Sequence, residues 1–135
     1  MRGVALLAPL VIAAAVPAEE RVRLEDVKTE WQNAYGAIIY TALANVKNVS
    51  ETPIVYVKVQ VALFDKDGKP VAERTGYNEG AEILGVVELP GSFEDKLKRV
   101  KPIPPGGTDL VRISLDKTDI GKPFRSAKVT LIEVH

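Results

Sequence analysis

Serine–histidine catalysis needs a hydroxyl held beside an imidazole, and this sequence offers a single imidazole, that of His135 at its very end. Chain ends tend to fray, so a working pair with Ser50, Ser92, Ser114 or Ser126 is not expected. There is no Cys to serve as nucleophile. Two carboxylates at the right separation suffice for glycoside cleavage, but no acidic pair here sits in an aromatic-lined segment. Asp65-Lys66-Asp67-Gly68 resembles the opening of a calcium loop. An EF-hand loop closes with Glu at its twelfth position, and counting from Asp65 that position is Gly76. A looser calcium site shared with another loop stays open; the competing expectation is a plain hairpin turn. Transition metals prefer thiolate and imidazole, and the chain has no Cys and one His. No enzyme and no cofactor is expected on these grounds.

The remaining chemistry is that of binding. Lys96, Lys98, Arg99 and Lys101 could meet phosphate or anionic lipid, but Glu94 and Asp95 lie just upstream, and a solvated helix face explains the run. Asn48-Val49-Ser50 has the form of a glycosylation acceptor and equally that of a turn. Trp31, Tyr40 and Tyr56 are expected to form a partner surface, with Tyr40 and Tyr56 on the outward faces of adjacent strands. Aromatic side chains exposed together would mark such a surface; the competing expectation is that other segments cover them.

These side chains must be positioned by strands. From Ile54 to Phe64, Val55, Val57, Val59, Val61 and Leu63 share one face, and Tyr56, Lys58, Gln60 and Ala62 the other. That period of two predicts a half-buried strand. Ala37–Val46 predicts a strand before it, and the polar stretch ending at Pro53 a turn between antiparallel neighbours. Asp65 to Lys69 predicts a tight reversal, with Gly68 free to take positive φ. Pro70–Thr75 then predicts a short edge strand. Residues 76–101 break the rhythm: Ile83–Leu89 fits a short strand or a packed loop, and Phe93–Val100 a short helix capped by Ser92. Leu110–Leu115 and Ala127–Val134 alternate as strands, Asp116–Pro123 reads as a loop, and Arg21–Trp31 can add a first strand. The fold expected is all-β: an antiparallel immunoglobulin-like β-sandwich of about seven strands, with one short helix in the inserted connection 76–101.

The opening residues carry a different signal. Met1-Arg2-Gly3 brings one positive charge, Val4–Val16 is apolar apart from Pro9, and small residues lead to Glu19-Glu20. This is the layout of a secretory signal peptide, residues 1–18, cut between Ala18 and Glu19. The apolar run of 13 residues falls short of the roughly 20 that span a bilayer, and no Cys follows it for lipid attachment. Residues 19–135 then form a single domain, periplasmic or secreted, with no membrane span after cleavage. Lys and Arg number 18 against 18 Asp and Glu, without the basic excess of a nucleic-acid binder.

The stretch Ala44-Asn45-Val46-Lys47-Asn48, followed by Val57–Phe64 and Asp65-Lys66-Asp67-Gly68-Lys69, resembles the FxLYD family of bacterial exported domains. That family shows a Gly-x-Val-x-Asn turn, an alternating strand, an aromatic-Asp close and an Asp-Gly hairpin; its later Pro-Gly turn is matched by Pro105-Gly106. Ala44 stands where the family often has Gly, and residues 76–101 exceed the usual connection. The resemblance, over about Ile38 to Leu115, implies an immunoglobulin-like sandwich of largely undefined role and brings no catalytic residues.

The function expected is that of a non-catalytic exported binding or assembly module of the bacterial envelope, engaging a protein partner through a sheet face or edge strand. The alternative is a small-ligand carrier or accessory hydrolase using 76–101 as a lid. It requires a concave pocket lined by Tyr77, Ile83, Leu84 and Phe93.

Overall fold

The computed structural model describes residues 10–14, 20–87 and 89–135. The expected cut between Ala18 and Glu19 lies outside the described residues. The chain is mostly antiparallel β-sheet. Its strands are β1 (Leu10–Ala14), β2 (Val22–Ala34), β3 (Ala37–Asn48), β4 (Val57–Phe64), β5 (Pro70–Tyr77), β6 (Thr108–Asp116) and β7 (Ser126–Val134). They form two sheets, one ordered β1-β7-β4-β5 and the other β2-β3-β6. Among the described residues, every pairing is antiparallel except β1 with β7. No helix among the described residues is long and apolar enough to cross a membrane.

One apolar core joins the sheets. Val57, Val59, Val61 and Leu63 of β4 and Ala127, Val129 and Leu131 of β7 bury against Tyr40, Ala42 and Val46 of β3 and Val111, Ile113 and Leu115 of β6. The alternation of β4 is therefore its packing, with each valine directed away from water as the pleat requires. Val55 departs from the expected face. Ile54, outside the strand, enters the core and bridges to Ile103, while half-buried Val55 packs against a second cluster.

The connection from β3 to β4 is a correction to the sequence expectation. β3 pairs with β2 and β6, not with β4, so residues 49–56 carry the chain from one sheet to the other. Asn48 anchors this crossing. Its Nδ2 donates to the carbonyls of Thr52 and Ile103, at 2.8 and 2.9 Å, and its Oδ1 accepts from Ser50 N and Ser50 Oγ, at 2.9 and 2.7 Å. The Asn48-Val49-Ser50 stretch is thus a turn whose Asn is buried and fully engaged.

The Asp65–Lys69 reversal is as expected. Asp65 Oδ1 accepts from Asp67 N and Lys69 N at 2.8 and 2.9 Å, which holds the carboxyl below its usual range. Gly68 has φ +79° and open space where a Cβ would stand, so a side chain there is resisted by the backbone alone. Gly68→Val is expected to cost about 1–2 kcal/mol, with or without calcium, and a calcium titration followed by thermal melting is expected to be flat. A rise in Tm that disappears in Asp67→Asn would show a metal site, because a ligand of the folded state stabilises by mass action.

Residues 76–101 hold a 3-10 helix, Glu79–Gly85, which overlaps the stretch expected as a short strand or a packed loop, followed by helix α1, Phe93–Leu97. Ser92 caps α1 as expected, accepting from Asp95 N at 3.1 Å while Asp95 Oδ2 accepts from Ser92 N at 3.3 Å. Lys96 corrects the solvated-face expectation: it is buried, and its Nζ donates to the Val86 carbonyl at 2.7 Å. Lys98, Arg99 and Lys101 are exposed. A second short helix, α2 (Lys117–Ile120), occupies the expected loop after β6, so the fold has more than the one helix anticipated. Asp116 caps it through Thr118 N at 2.9 Å, and Gly121 closes it at φ 71°.

Candidate functional site

The three aromatic residues expected to share a partner surface fall into two separate clusters. Tyr40 lies on β3, and Tyr56 immediately precedes β4 in the other sheet, so they are not on adjacent strands. Neither is exposed: Tyr40 retains 1% and Tyr56 5% of its accessible surface, against 45% for Trp31. On β3 the core-facing residues are Tyr40, Ala42, Ala44 and Val46, and Thr41 takes the other face. Burial raises the pKa of the Tyr40 hydroxyl.

Tyr56 belongs to the cluster under residues 76–101. Its ring stacks on His135 at 5.2 Å and meets Tyr77 and Phe93 edge-on at 5.6 and 6.1 Å. Its hydroxyl donates to Glu133 Oε2 at 2.6 Å. Burial first, then the bond to Glu133 and its charge, push the Tyr56 pKa up to about 12. His135 is tied down rather than frayed: its N–H donates to the Tyr56 carbonyl at 3.0 Å, and its own carbonyl accepts from Val55 N at 2.7 Å. Three of the serines are engaged elsewhere, Ser50 with Asn48, Ser92 at its cap and Ser114 with Thr41.

Of the four residues expected to line a ligand pocket under 76–101, three pack into an apolar cluster. Leu84 is buried with Tyr56, Ala81 and Val100, and Tyr77 and Ile83 pack against them, while Phe93 is exposed. The segment is also bonded to the sheets. Asn78 Oδ1 accepts from Val57 N at 2.8 Å, Asn78 Nδ2 donates to Asp109 Oδ2 at 2.8 Å, and Gly80 N donates to the same oxygen at 2.8 Å.

An open concavity lies by Trp31. The β2–β3 hairpin turns through Tyr35 and Gly36, at φ 52° and 84°. Positive φ at both central residues matches the right-handed twist of the strands, although a tyrosine there is unusual. Trp31 sits opposite Tyr40 in this hairpin, with ring centroids 5.0 Å apart. Phe124, from the segment between α2 and β7, completes the group at 5.8 Å from Trp31 and 4.8 Å from Tyr40. Trp31, Phe124, Ile120 and Pro123 thereby border a groove of about 410 Å³, flanked by Lys117 and Lys122. Exposed Ile38, two residues before Tyr40 on β3, and Tyr35 at the tip extend the apolar surface along the hairpin.

No known protein family matches the sequence. No curated protein matches it either. Neither comparison supports the FxLYD resemblance. Among solved structures, the chain is similar to the X-ray structure of Northeast Structural Genomics Consortium target SoR45, with 15% identity and a TM-score of 0.41, covering 87% of this chain and 85% of that one. A likeness that distant transfers nothing about function.

The groove's lining combines the aromatic rings of Trp31 and Phe124 with two residues that carry positive charge, Lys117 and Lys122, so apolar contact and attraction to a carboxylate are the interactions it can offer. Phe124, Lys117 and Lys122 were not anticipated. The available signal was the pair Asp116 and Gly121, a cap residue and a left-handed stop placed to bracket one helical turn.

Proposed function

We propose that this chain is a non-catalytic exported binding module of the bacterial envelope, periplasmic or secreted, which engages a protein partner through the Trp31 groove. The observation that carries it is Trp31 itself, the sole tryptophan, left 45% exposed beside Phe124 in a groove that Lys117 and Lys122 also line. Tryptophan is enriched where binding energy concentrates. The occupant that fits is a segment presenting an apolar or aromatic side chain next to acidic residues. The carrier or lid alternative is disfavoured because three of the residues expected to line its pocket pack into an apolar cluster.

The finer architecture proposed is immunoglobulin-like. The orders β2-β3-β6 and β7-β4-β5 correspond to strands A-B-E and F-C-C′ of such a domain. The place beside F, normally strand G, is the one β1 takes.

Trp31→Ala is expected to keep the fold at a cost of about 1–2 kcal/mol from lost aromatic contacts, and to reduce partner capture from envelope extract by at least about tenfold, a change worth 1.4 kcal/mol. Lys122→Glu should weaken the same capture, and Lys98→Glu, at the exposed C-cap of α1, should not. Equal capture by all three variants would remove the groove from the function.

A further inference from the structure

The four-stranded sheet has two edges. β5 forms one, and opens with Pro70, which has no N–H to offer and suits an edge. At the other, β1 lies along β7 in parallel, from Leu10 opposite Ser126 to Ala14 opposite Thr130. The β1 segment reads Leu-Val-Ile-Ala-Ala, without charge or proline. If residues 1–18 are a leader, this strand leaves with it on export, and the N–H and C=O groups it covered on β7 are uncovered. Such an edge is a template for another strand.

We propose that the β7 edge, once uncovered, takes up an extended apolar segment of a partner protein, lying parallel to β7 as Leu10–Ala14 does. This rests on the export assignment, and it concerns a surface distinct from the Trp31 groove. Main-chain bonds would supply the hold, and alternate side chains the selection, favouring small or β-branched apolar residues with no proline in the paired stretch. A second copy is the weaker candidate. A two-fold axis between two β7 strands makes them antiparallel, whereas the strand seated here is parallel. Centred on residues 126–130, such pairing would also set Lys128 against its own copy, and like charges directly opposite destabilise a sheet. Packing among residues 22–134 joins the two sheets, and a chain beginning at Glu19 keeps every residue of it.

The test compares the chain recovered after export with the full chain, using a synthetic peptide that carries Leu-Val-Ile-Ala-Ala between Gly-Ser ends. With the processed chain, the peptide is expected to slow hydrogen exchange of β7 amides not bonded to β4 by about tenfold or more. A peptide with proline in place of the isoleucine should have no effect, and neither peptide should change the full chain, whose edge is filled. Intact mass separates two failures. A chain recovered at full length defeats the export assignment on which the proposal depends. A chain beginning at Glu19 whose β7 amides ignore the peptide defeats the slot. A processed chain that is already dimeric, with those amides protected before any peptide is added, makes the occupant a second copy and overturns the partner strand.

Discussion

Val59→Asp is expected to unfold the domain, while Gln60→Asp, one residue along the same strand, is expected to leave it folded. Val59 lies on β4 between β5 and β7, opposite Gly76 and Leu131, and is wholly buried in the core. A carboxylate there would have no cationic partner within the valine cluster, and an unpaired buried charge costs several kcal/mol. Domains of this kind have about 5–15 kcal/mol of stability in total. Gln60 lies on the opposite face between Thr75 and Thr130, half-exposed, where the change alters strand propensity and cross-strand contacts by at most about 1 kcal/mol. Chemical denaturation of both variants checks this. A lower midpoint for Gln60→Asp than for Val59→Asp would mean that the strand register is displaced by one residue, since such a slip exchanges the faces.

The second large effect is expected at Asn48. Asn48→Ala removes four hydrogen bonds from a buried position and leaves Ser50 N and Oγ without their acceptor. At about 0.5–1.5 kcal/mol for each bond, the loss is expected to be roughly 2–6 kcal/mol. Asn48→Asp should also destabilise, because it sets carboxylate oxygen against the Thr52 and Ile103 carbonyls in place of two donors. Ser50→Ala keeps both Nδ2 bonds and the acceptor for Ser50 N; it loses the three bonds of Ser50 Oγ, two of them exposed to water, and should cost less than Asn48→Ala. Thermal melts of the three variants give the ranking. If Asn48→Asp melted like the wild type, Asn48 would not hold the crossing between the sheets.

What was legible in the sequence was local. Alternation along Val57–Leu63 names the core face directly, because the pleat converts sequence parity into burial. The Asp65–Lys69 turn and the Ser92 cap were equally readable, since the residues that make them are also those that bond within them. What failed was non-local. The polar, Pro-terminated stretch after β3 has the composition of a hairpin turn, yet Ile54 pairs with Ile103 and Asn48 reaches Ile103 from the other side. Both partners lie about fifty residues away in sequence, beyond any local signal. Tyr40 and Tyr56 were misplaced for the same reason: their shared surface required β3 and β4 to be neighbours. The polar residues Thr41, Asn45 and Lys47 already marked the outer face of β3, but two apolar faces at Ile38–Leu43 obscured the period. The Trp31 groove was half visible. Trp31 was identified, while Phe124 and Lys122 reach it through a four-residue helix too short for periodicity to reveal.

The most direct test of the groove as the binding surface uses Trp31 as its own reporter, because no other tryptophan contributes to the emission. The protein would be titrated with a peptide carrying phenylalanine between glutamates, and with a matching peptide carrying lysines in their place. Binding in the groove is expected to shift Trp31 emission to the blue as water leaves the indole, saturably and more weakly at high salt, for the acidic peptide and not for the basic one. Unchanged emission with the acidic peptide, or the same response to both peptides, would contradict recognition at this site.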